Sequence, residues 1–337
     1  MADLVLLTGI SGFLGGHVAM ALLNAGYRVR GSVRTLDKAG KVRTTLQRAG
    51  GDVGRLEFVA LDLLGDAGWD AAMDGVRFLQ HTASPFVLDI PKDPNELIRP
   101  AVDGTRRAIE AALRAKVERI VLTSSIAAIQ YGHKDYSRLL TESDWTNVDS
   151  PKTGAYAKSK TLAEKAAWDL MDKAGRHDDL AVINPAAILG PLLDDDPGTS
   201  AALVARLLDG KLPAVPKLGF SVVDVRDVAA LHLDAMTNES AGGQRCIASE
   251  GIYRMTDIAS AMKEAFPDRR IPTAELPDVL VRLAGLFDRT IAGNVHELGT
   301  LKRLDGHRGS NRLGRPLISG TVSAITTGKS LIAKGLV

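Results

Sequence analysis

Along the first half of the chain, short continuous apolar runs alternate with stretches whose apolar positions recur every three or four residues. Asp3 to Thr8 (DLVLLT) is such a run, the pattern of a strand covered on both faces. A glycine-rich turn follows, then a helical pattern from Phe13 to Asn24 that Gly26 stops. The same reading gives strands at Tyr27 to Arg34, Leu56 to Leu63, Val76 to Ser84, Arg119 to Ser125 and Leu180 to Pro185. Helical patterns cover Asn95 to Ala115 and the stretch from Gly154 to Trp168. This alternation predicts an α/β fold of the Rossmann type, a doubly wound parallel sheet with helices on both faces.

After Pro185 the regularity breaks. Pro191, Pro197, Pro213 and Pro216 punctuate the chain, and Asp194 to Asp196 reads as a solvated loop. Strand patterns remain at Ser221 to Val225 and Arg245 to Ser249, and helical ones at Val225 to Met236, Met255 to Phe266 and Ser319 to Lys334. Residues 1–185 are therefore expected to form the nucleotide-binding domain that also carries the chemistry. Residues 186–337 are expected to form mainly a smaller C-terminal substrate lobe, interleaved with the last sheet elements at about 218–250. Residues 274–315 show no clear pattern.

Composition narrows the function. The chain has 337 residues, 45% of them hydrophobic, enough for a large core. Lys and Arg number 42 against 40 Asp and Glu, a net charge of +2, and no basic stripe is interleaved with aromatics. Nucleic acid and acidic membranes are not expected partners. No apolar run approaches the ~20 residues that span a bilayer, and the N-terminus lacks a basic leader, so a cytoplasmic location is expected. Cys246 is the one cysteine, read as a buried strand residue, and no metal site is expected.

Thr8-Gly9-Ile10-Ser11-Gly12-Phe13-Leu14-Gly15 follows the first strand and opens a helix. A dinucleotide site needs that placement. The first glycine makes the turn, the second admits the pyrophosphate, the third lets helix pack on strand, and the free N–H groups at the helix start face phosphate. A glycine-rich turn without a ligand is the plainer alternative. The second strand ends in Arg34 with no carboxylate before Asp37, and Lys38 and Lys41 follow. An arginine there pairs with the 2′-phosphate of NADP, where NAD calls for a carboxylate, so NADP(H) is expected over NAD(H). Arg34 as a mere surface residue stays open. Asp62 and Leu63 follow the third strand where an adenine edge would lie, although Asp62 serves equally as a loop cap. Thr82, Ala83 and Ser84 end the fourth strand with small residues where a cofactor must pass close.

Tyr156 and Lys160 have the i, i+4 spacing that puts two side chains on one helix face. An ammonium ~5 Å from a phenol favours the ionised phenol by roughly 3 kcal/mol at an effective dielectric near 20. Such a pair can protonate an alkoxide as hydride arrives. A partly buried tyrosine beside a solvated lysine is the structural alternative. Ser124 and Ser125 end the fifth strand, at the sheet edge where ligands bind, and one of them can hold a carbonyl oxygen; both also suit a turn.

The glycine turn, Thr123-Ser124-Ser125 and Tyr156-x-x-x-Lys160 resemble an extended short-chain dehydrogenase/reductase. GSVRT, HTASP, TESDW, AYAKSKTLAEKAAW, NPAAILGP and VVDVRDVAALH resemble its dihydroflavonol 4-reductase-like branch of aldehyde and ketone reductases, from the chain start to about residue 266. SNRLGRPL and the final helix are a looser match. The resemblance implies that Ser125 is the catalytic serine, Tyr156 the proton donor, and Lys160 the residue that holds the nicotinamide ribose and tunes the phenol. It also implies that Arg34 and Lys41 grip the 2′-phosphate and that Asp62 and Leu63 lie at the adenine. Pro185 and Ile188 would pack against the nicotinamide, and Ser200 would make a further cofactor contact.

The neutral Thr123-Ser124-Ser125, followed by Ile126, argues against dehydration, which in sugar-nucleotide relatives uses acidic residues there. Where flavonoid reductases of the branch carry a polar residue, this chain has Ile126-Ala127-Ala128-Ile129, then Tyr131. A smaller or more apolar carbonyl compound is expected instead. Its pocket is expected from Phe86 to Ile98, Ile129 to Trp145 and the C-terminal lobe. The expected function is an NADPH-dependent reductase of ketones or aldehydes, working as a monomer or homodimer on a small-molecule carbonyl substrate. The alternatives are an NAD-dependent nucleotide-sugar epimerase, a 3β-hydroxysteroid dehydrogenase-like enzyme, and a non-catalytic NADP-binding sensor.

Overall fold

The computed structural model describes residues 2–84, 93–195, 198–284 and 298–337. Residues 85–92, 196–197 and 285–297 lie outside the described residues. The main sheet has seven strands: β1 (Leu4–Thr8), β2 (Arg28–Val33), β3 (Leu56–Ala60), β4 (Phe78–His81), β5 (Arg119–Thr123), β6 (Leu180–Pro185) and a late strand, Gln244–Ala248. Their order is late strand, β6, β5, β4, β1, β2, β3, and every pairing is parallel.

Strand alternation builds two cores. Val5 and Leu7 of β1 face one side, with α1 (Phe13–Asn24), α2 (Ala39–Arg48) and the later helix Val225–Thr237. Leu4 and Leu6 face the other, with α3 (Trp69–Met73), α4 (Asn95–Arg114) and α5 (Ala155–Lys173). Each fully buried leucine or valine contributes roughly 1.5–3 kcal/mol, so β1, sandwiched on both faces, anchors the whole sheet.

Three strands end earlier than their apolar patterns. β3 stops at Ala60 because the Asp62 carboxylate accepts from the Leu64 N–H at 2.9 Å and turns the chain. β4 is confined to Phe78–His81, and β5 stops at Thr123 because Ser125 caps a short 3₁₀ turn over Ile126–Ala128.

Beyond β6 the chain builds a second layer. β7 (Ala187–Leu189), β9 (Gly219–Asp224) and β11 (Gly251–Arg254) form a three-stranded sheet, and β8 (Val215–Pro216) pairs with β12 (Glu275–Leu276). α6 (Gly198–Leu208), α8 (Met255–Ala265) and the C-terminal helix Gly320–Ala333 close a third core around Val204, Val222, Ile258 and Leu331. Between these elements the chain returns to the main sheet through α7 (Val225–Thr237) and β10 (Gln244–Ala248), which carries the buried Cys246. The acidic run is only partly solvated: Asp194 is half-buried, and Asp195 lies 3.9 Å from Lys334. Within the unpatterned 274–315 stretch, the described residues include β12 and the helices Asp278–Ala284 and His307–Leu313. No helix among the described residues is long and apolar enough to cross a membrane.

Candidate active site

The strand order reverses between β1 and β4, so helices leave their carboxyl ends on opposite faces and a crevice opens between them. Gly9 stands at this point with φ +74°, and a Cβ there would meet the Ala83 backbone at 2.9 Å. A Cβ on Gly15 would meet Gly9 O at 2.0 Å, so α1 can lie on the turn only with glycine. Gly12 caps α1 without a side-chain hydrogen bond, which leaves first-turn N–H groups for a phosphate. The Thr8 hydroxyl, paired with His81 Nδ1 at 2.8 Å, accepts from the Ala83 N–H at 3.2 Å. Thr82 donates to the Thr8 carbonyl at 2.7 Å. The two strand ends are thereby stitched together beneath the crevice.

A cleft of about 530 Å³ is lined by Gly9, Ser11, Gly12, Arg34, Asp62 and Leu63, with Thr82, Ala83 and Ser84 on its inner wall. Arg34 is exposed and has no ion-pair partner among the described residues. The lining fits a dinucleotide: uncapped N–H groups for the pyrophosphate, and a cation where a 2′-phosphate would lie. Lys41 departs from its expected place. Carried on α2, it lines another groove with Arg48, Asp194 and Lys334.

The consecutive serines part company. Ser124 Oγ donates to the buried Glu164 carboxylate at 2.5 Å. Ser125 Oγ accepts from the Ala127 N–H at 3.1 Å and lines a second cavity, of about 480 Å³, together with Tyr156. Tyr156 occupies the first turn of α5 and is 47% exposed, unusual for a tyrosine that only packs. Lys160 is half-buried in a crevice with Ala83, Ser84 and Ser124; Ala83 and Ser84 also line the nucleotide cleft.

A buried polar network backs this edge. Glu164, 1% exposed, pairs with Arg245 Nε at 2.5 Å. Asn184 Nδ2 donates to Glu164 at 2.8 Å and to the Ser125 carbonyl at 3.2 Å. The Arg245 guanidinium lies 3.8 Å over the Trp145 ring and donates to the carbonyls of Glu142 and Asp144, each at 2.7 Å. This ties the TESDW loop to α5. Burial pushes His81 down to about 3, assisted by Lys160, and burial alone pushes His232 down to about 3. Both imidazoles stay neutral beneath the site.

Not every expected contact lies on a cavity. Leu14 packs against the core and Gly15 is buried in the helix–turn contact. Pro185 is buried at the end of β6, and Ile188 packs toward the core; it is Ala186 and Ala187 that line the Ser125–Tyr156 cavity. Ser200 lines that same cavity and not the nucleotide cleft. The pocket segments contribute unequally: Gln130 and Tyr131 come from the middle one, and Leu218, Phe220, Ile252 and Lys302 from the lobe. Of the first segment, residues 86–92 lie outside the described residues, and 93–98 do not reach the cavity.

Sequence reasoning missed Thr8, Glu164, Asn184, Arg245 and Lys302. Glu164 had a signal, falling eight residues after Tyr156 on the same helix. No metal-binding cluster of His, Cys, Asp or Glu occurs among the described residues.

Comparison with known proteins is consistent with this geometry. The family described as the NAD dependent epimerase/dehydratase family matches residues 5–248. The chain is 34% identical over 278 residues to cinnamoyl-CoA reductase CAD2 of Medicago truncatula, covering 81% of this chain and 83% of that one. It is 32% identical over 289 residues to the NADPH-dependent methylglyoxal reductase GRE2 of Saccharomyces cerevisiae, covering 78% and 82%. The crystal structure of yeast methylglyoxal/isovaleraldehyde reductase Gre2 complexed with NADPH superposes with a TM-score of 0.81 at 28% identity, over 99% of this chain and 100% of that one.

Proposed function

The chain belongs to the NAD dependent epimerase/dehydratase family, and from that premise we propose that it is an NADPH-dependent reductase of ketones or aldehydes, reversible as an alcohol dehydrogenase. The observation that carries this reading is the cavity shared by Ser125 and Tyr156, with Lys160, one turn along α5, lining a crevice with Ala83 and Ser84 of the glycine-turn cleft. Its partner is a small-molecule carbonyl compound. Its one cysteine, buried, suits a reducing cytoplasm.

Gly9, Ser11 and Gly12 would hold the pyrophosphate, Arg34 the 2′-phosphate, and Lys160 the ribose next to the nicotinamide. The bound dinucleotide supplies the hydride. Ser125 Oγ–H donates to the substrate carbonyl oxygen and polarises it. As the carbonyl carbon accepts the hydride electron pair, the Tyr156 hydroxyl gives its proton to that oxygen, and the product is the alcohol. The phenolate then recovers a proton from solvent, which its exposure permits. Lys160, one turn along α5, stabilises the phenolate in the interval.

An epimerase that keeps NAD bound through its cycle calls for a carboxylate at the end of β2, where Arg34 stands. A panel of aldehydes and ketones assayed by NADPH and NADH absorbance tests the proposal. Turnover with NADPH well above that with NADH is expected; no turnover of any carbonyl compound, with bound NAD(H) in the purified protein, would overturn it.

A further inference from the structure

The ladder between β5 and β6 ends just short of Ser125. Its last pair is Thr123 with Ile183, and the Ser124 N–H donates to the Ile183 carbonyl at 2.8 Å. β5 stops there while β6 runs on to Pro185, so strand pairing no longer holds Ser125 to β6.

The side chain of Asn184 takes over from the ladder. Its Nδ2 donates to the Ser125 carbonyl at 3.2 Å and to the Glu164 carboxylate at 2.8 Å. Both partners are oxygens that only accept, so the amide can face only one way. The Ser125 carbonyl also accepts from the Ala128 N–H at 2.9 Å, which closes the 3₁₀ turn over Ile126–Ala128. That turn in turn carries the Ala127 N–H that donates to Ser125 Oγ at 3.1 Å. With a lone pair of Oγ occupied by this N–H, the hydroxyl hydrogen is left to point into the cavity that Ser125 lines.

Asn184 is firmly held itself. It is fully buried, and its backbone is paired with Ile247 of β10. Its amide ends on Glu164, which Arg245 grips in an ion pair and to which Ser124 Oγ also donates. Asn184 lines neither the nucleotide cleft nor the Ser125–Tyr156 cavity. Its route to the site is the Ser125 peptide.

We infer that Asn184 is a positioning residue for carbonyl reduction: its amide clamps the Ser125 peptide to the buried Glu164–Arg245 pair and so aims the Ser125 hydroxyl at the substrate oxygen beside Tyr156. This rests on the carbonyl-reductase reading of the cavity. A donor misplaced by 1 Å can cost about 10²-fold in rate. The loss falls on the chemical step, because the Ser125 donor matters most where charge develops on the oxygen. Substrate and cofactor still meet the same walls.

The test is a double-mutant cycle of Asn184→Ala with Ser125→Ala. Single-turnover rates are measured with saturating NADPH on the fastest substrate of the carbonyl panel, at enzyme concentrations that keep the Ser125→Ala background measurable. Alone, Asn184→Ala is expected to lower the maximal rate about 10- to 30-fold. The half-saturating substrate concentration should change less than about threefold, and thermal stabilisation by NADPH should match wild type. In the Ser125→Ala background the same substitution is expected to change the rate less than about twofold, because the residue it acts through is gone. A merely structural role would lower the rate by the same factor in both backgrounds. Asn184→Asp keeps the side-chain volume and serves if the alanine variant does not fold. Its carboxyl has at most one proton to donate where the amide has two, so the same Ser125-dependent loss is expected. Equal losses in both backgrounds, or a wild-type rate in a folded Asn184 variant, would overturn the inference and leave the reductase reading in place. If wild type reduces no compound of the panel with NADPH, both fall.

Discussion

Ser124 and Ser125 are adjacent in the chain, yet Ser124 donates to the buried Glu164 while Ser125 shares a cavity with Tyr156. The extended backbone at Ser125 sends consecutive side chains to opposite sides of the β5 edge. Substitution should separate their roles. Ser125→Ala is expected to lower kcat by about a hundredfold with little change in melting temperature, as for a lost oxyanion donor. Ser124→Ala is expected to cost about 1–3 kcal/mol of stability, because a buried carboxylate loses a donor. Steady-state kinetics beside denaturant unfolding of both variants distinguishes the two.

Glu164 joins Ser124, Asn184 and Arg245 at one buried point. Glu164→Gln would leave the Arg245 guanidinium buried without its counter-charge, at a cost of about 3–5 kcal/mol. Combining it with Arg245→Met is expected to recover part of that loss, since an apolar replacement of a whole buried pair is far less harmful. Urea unfolding of the single and double variants measures both; equal stability of Glu164→Gln and wild type would remove the network from the account.

Arg34 lines the nucleotide cleft at the end of β2. Arg34→Ala is expected to weaken NADPH about 10- to 100-fold, the worth of a charge-assisted contact, while leaving NADH within a few-fold. Titration of each cofactor, read by thermal shift, checks this. Equal losses for both cofactors would assign Arg34 to general folding.

His232 is held neutral by burial, and its ring is placed by two hydrogen bonds: Nδ1–H donates to Gln80 Oε1 at 2.7 Å, and Nε2 accepts from Thr123 Oγ1 at 3.0 Å. His81 and His232 both protonate at about 3 in the folded chain, against 6.5 for the ordinary imidazole. The unfolded chain therefore binds more protons between these values, and stability falls as pH drops from 6.5 toward 3. Each histidine contributes a slope of about 1.4 kcal/mol per pH unit in that window. Unfolding free energies measured from pH 7 to pH 4 should show this decline, and His232→Gln should reduce the slope by close to one proton. An unchanged slope would mean that His232 is not held neutral.

The main sheet was legible because its strands are covered on both faces and read as unbroken apolar runs, as in Leu4 to Leu7. The placement of β10 beside β6 was not, since that pairing is set by α7 crossing the sheet and not by any local pattern. α2 escaped notice because it buries only Val42 and Leu46 in an otherwise polar stretch. Strands β7 and β11 have three and four residues, too few to establish a period. The Tyr156–Lys160 pair was visible because both residues lie on one turn of one helix. Lys302 was invisible because its cavity neighbours, Tyr131 and Tyr156, lie far away in the chain and meet it only through the fold.

The central claim is that the Tyr156 hydroxyl delivers the proton that completes carbonyl reduction. The most direct measurement is the single-turnover rate of Tyr156→Phe with saturating NADPH, on protein whose thermal stabilisation by NADPH matches wild type. The account predicts a rate lower by about 10²–10⁴, the contribution of a positioned general acid. Reduction of a good substrate at the wild-type rate by that folded, cofactor-bound variant would contradict it.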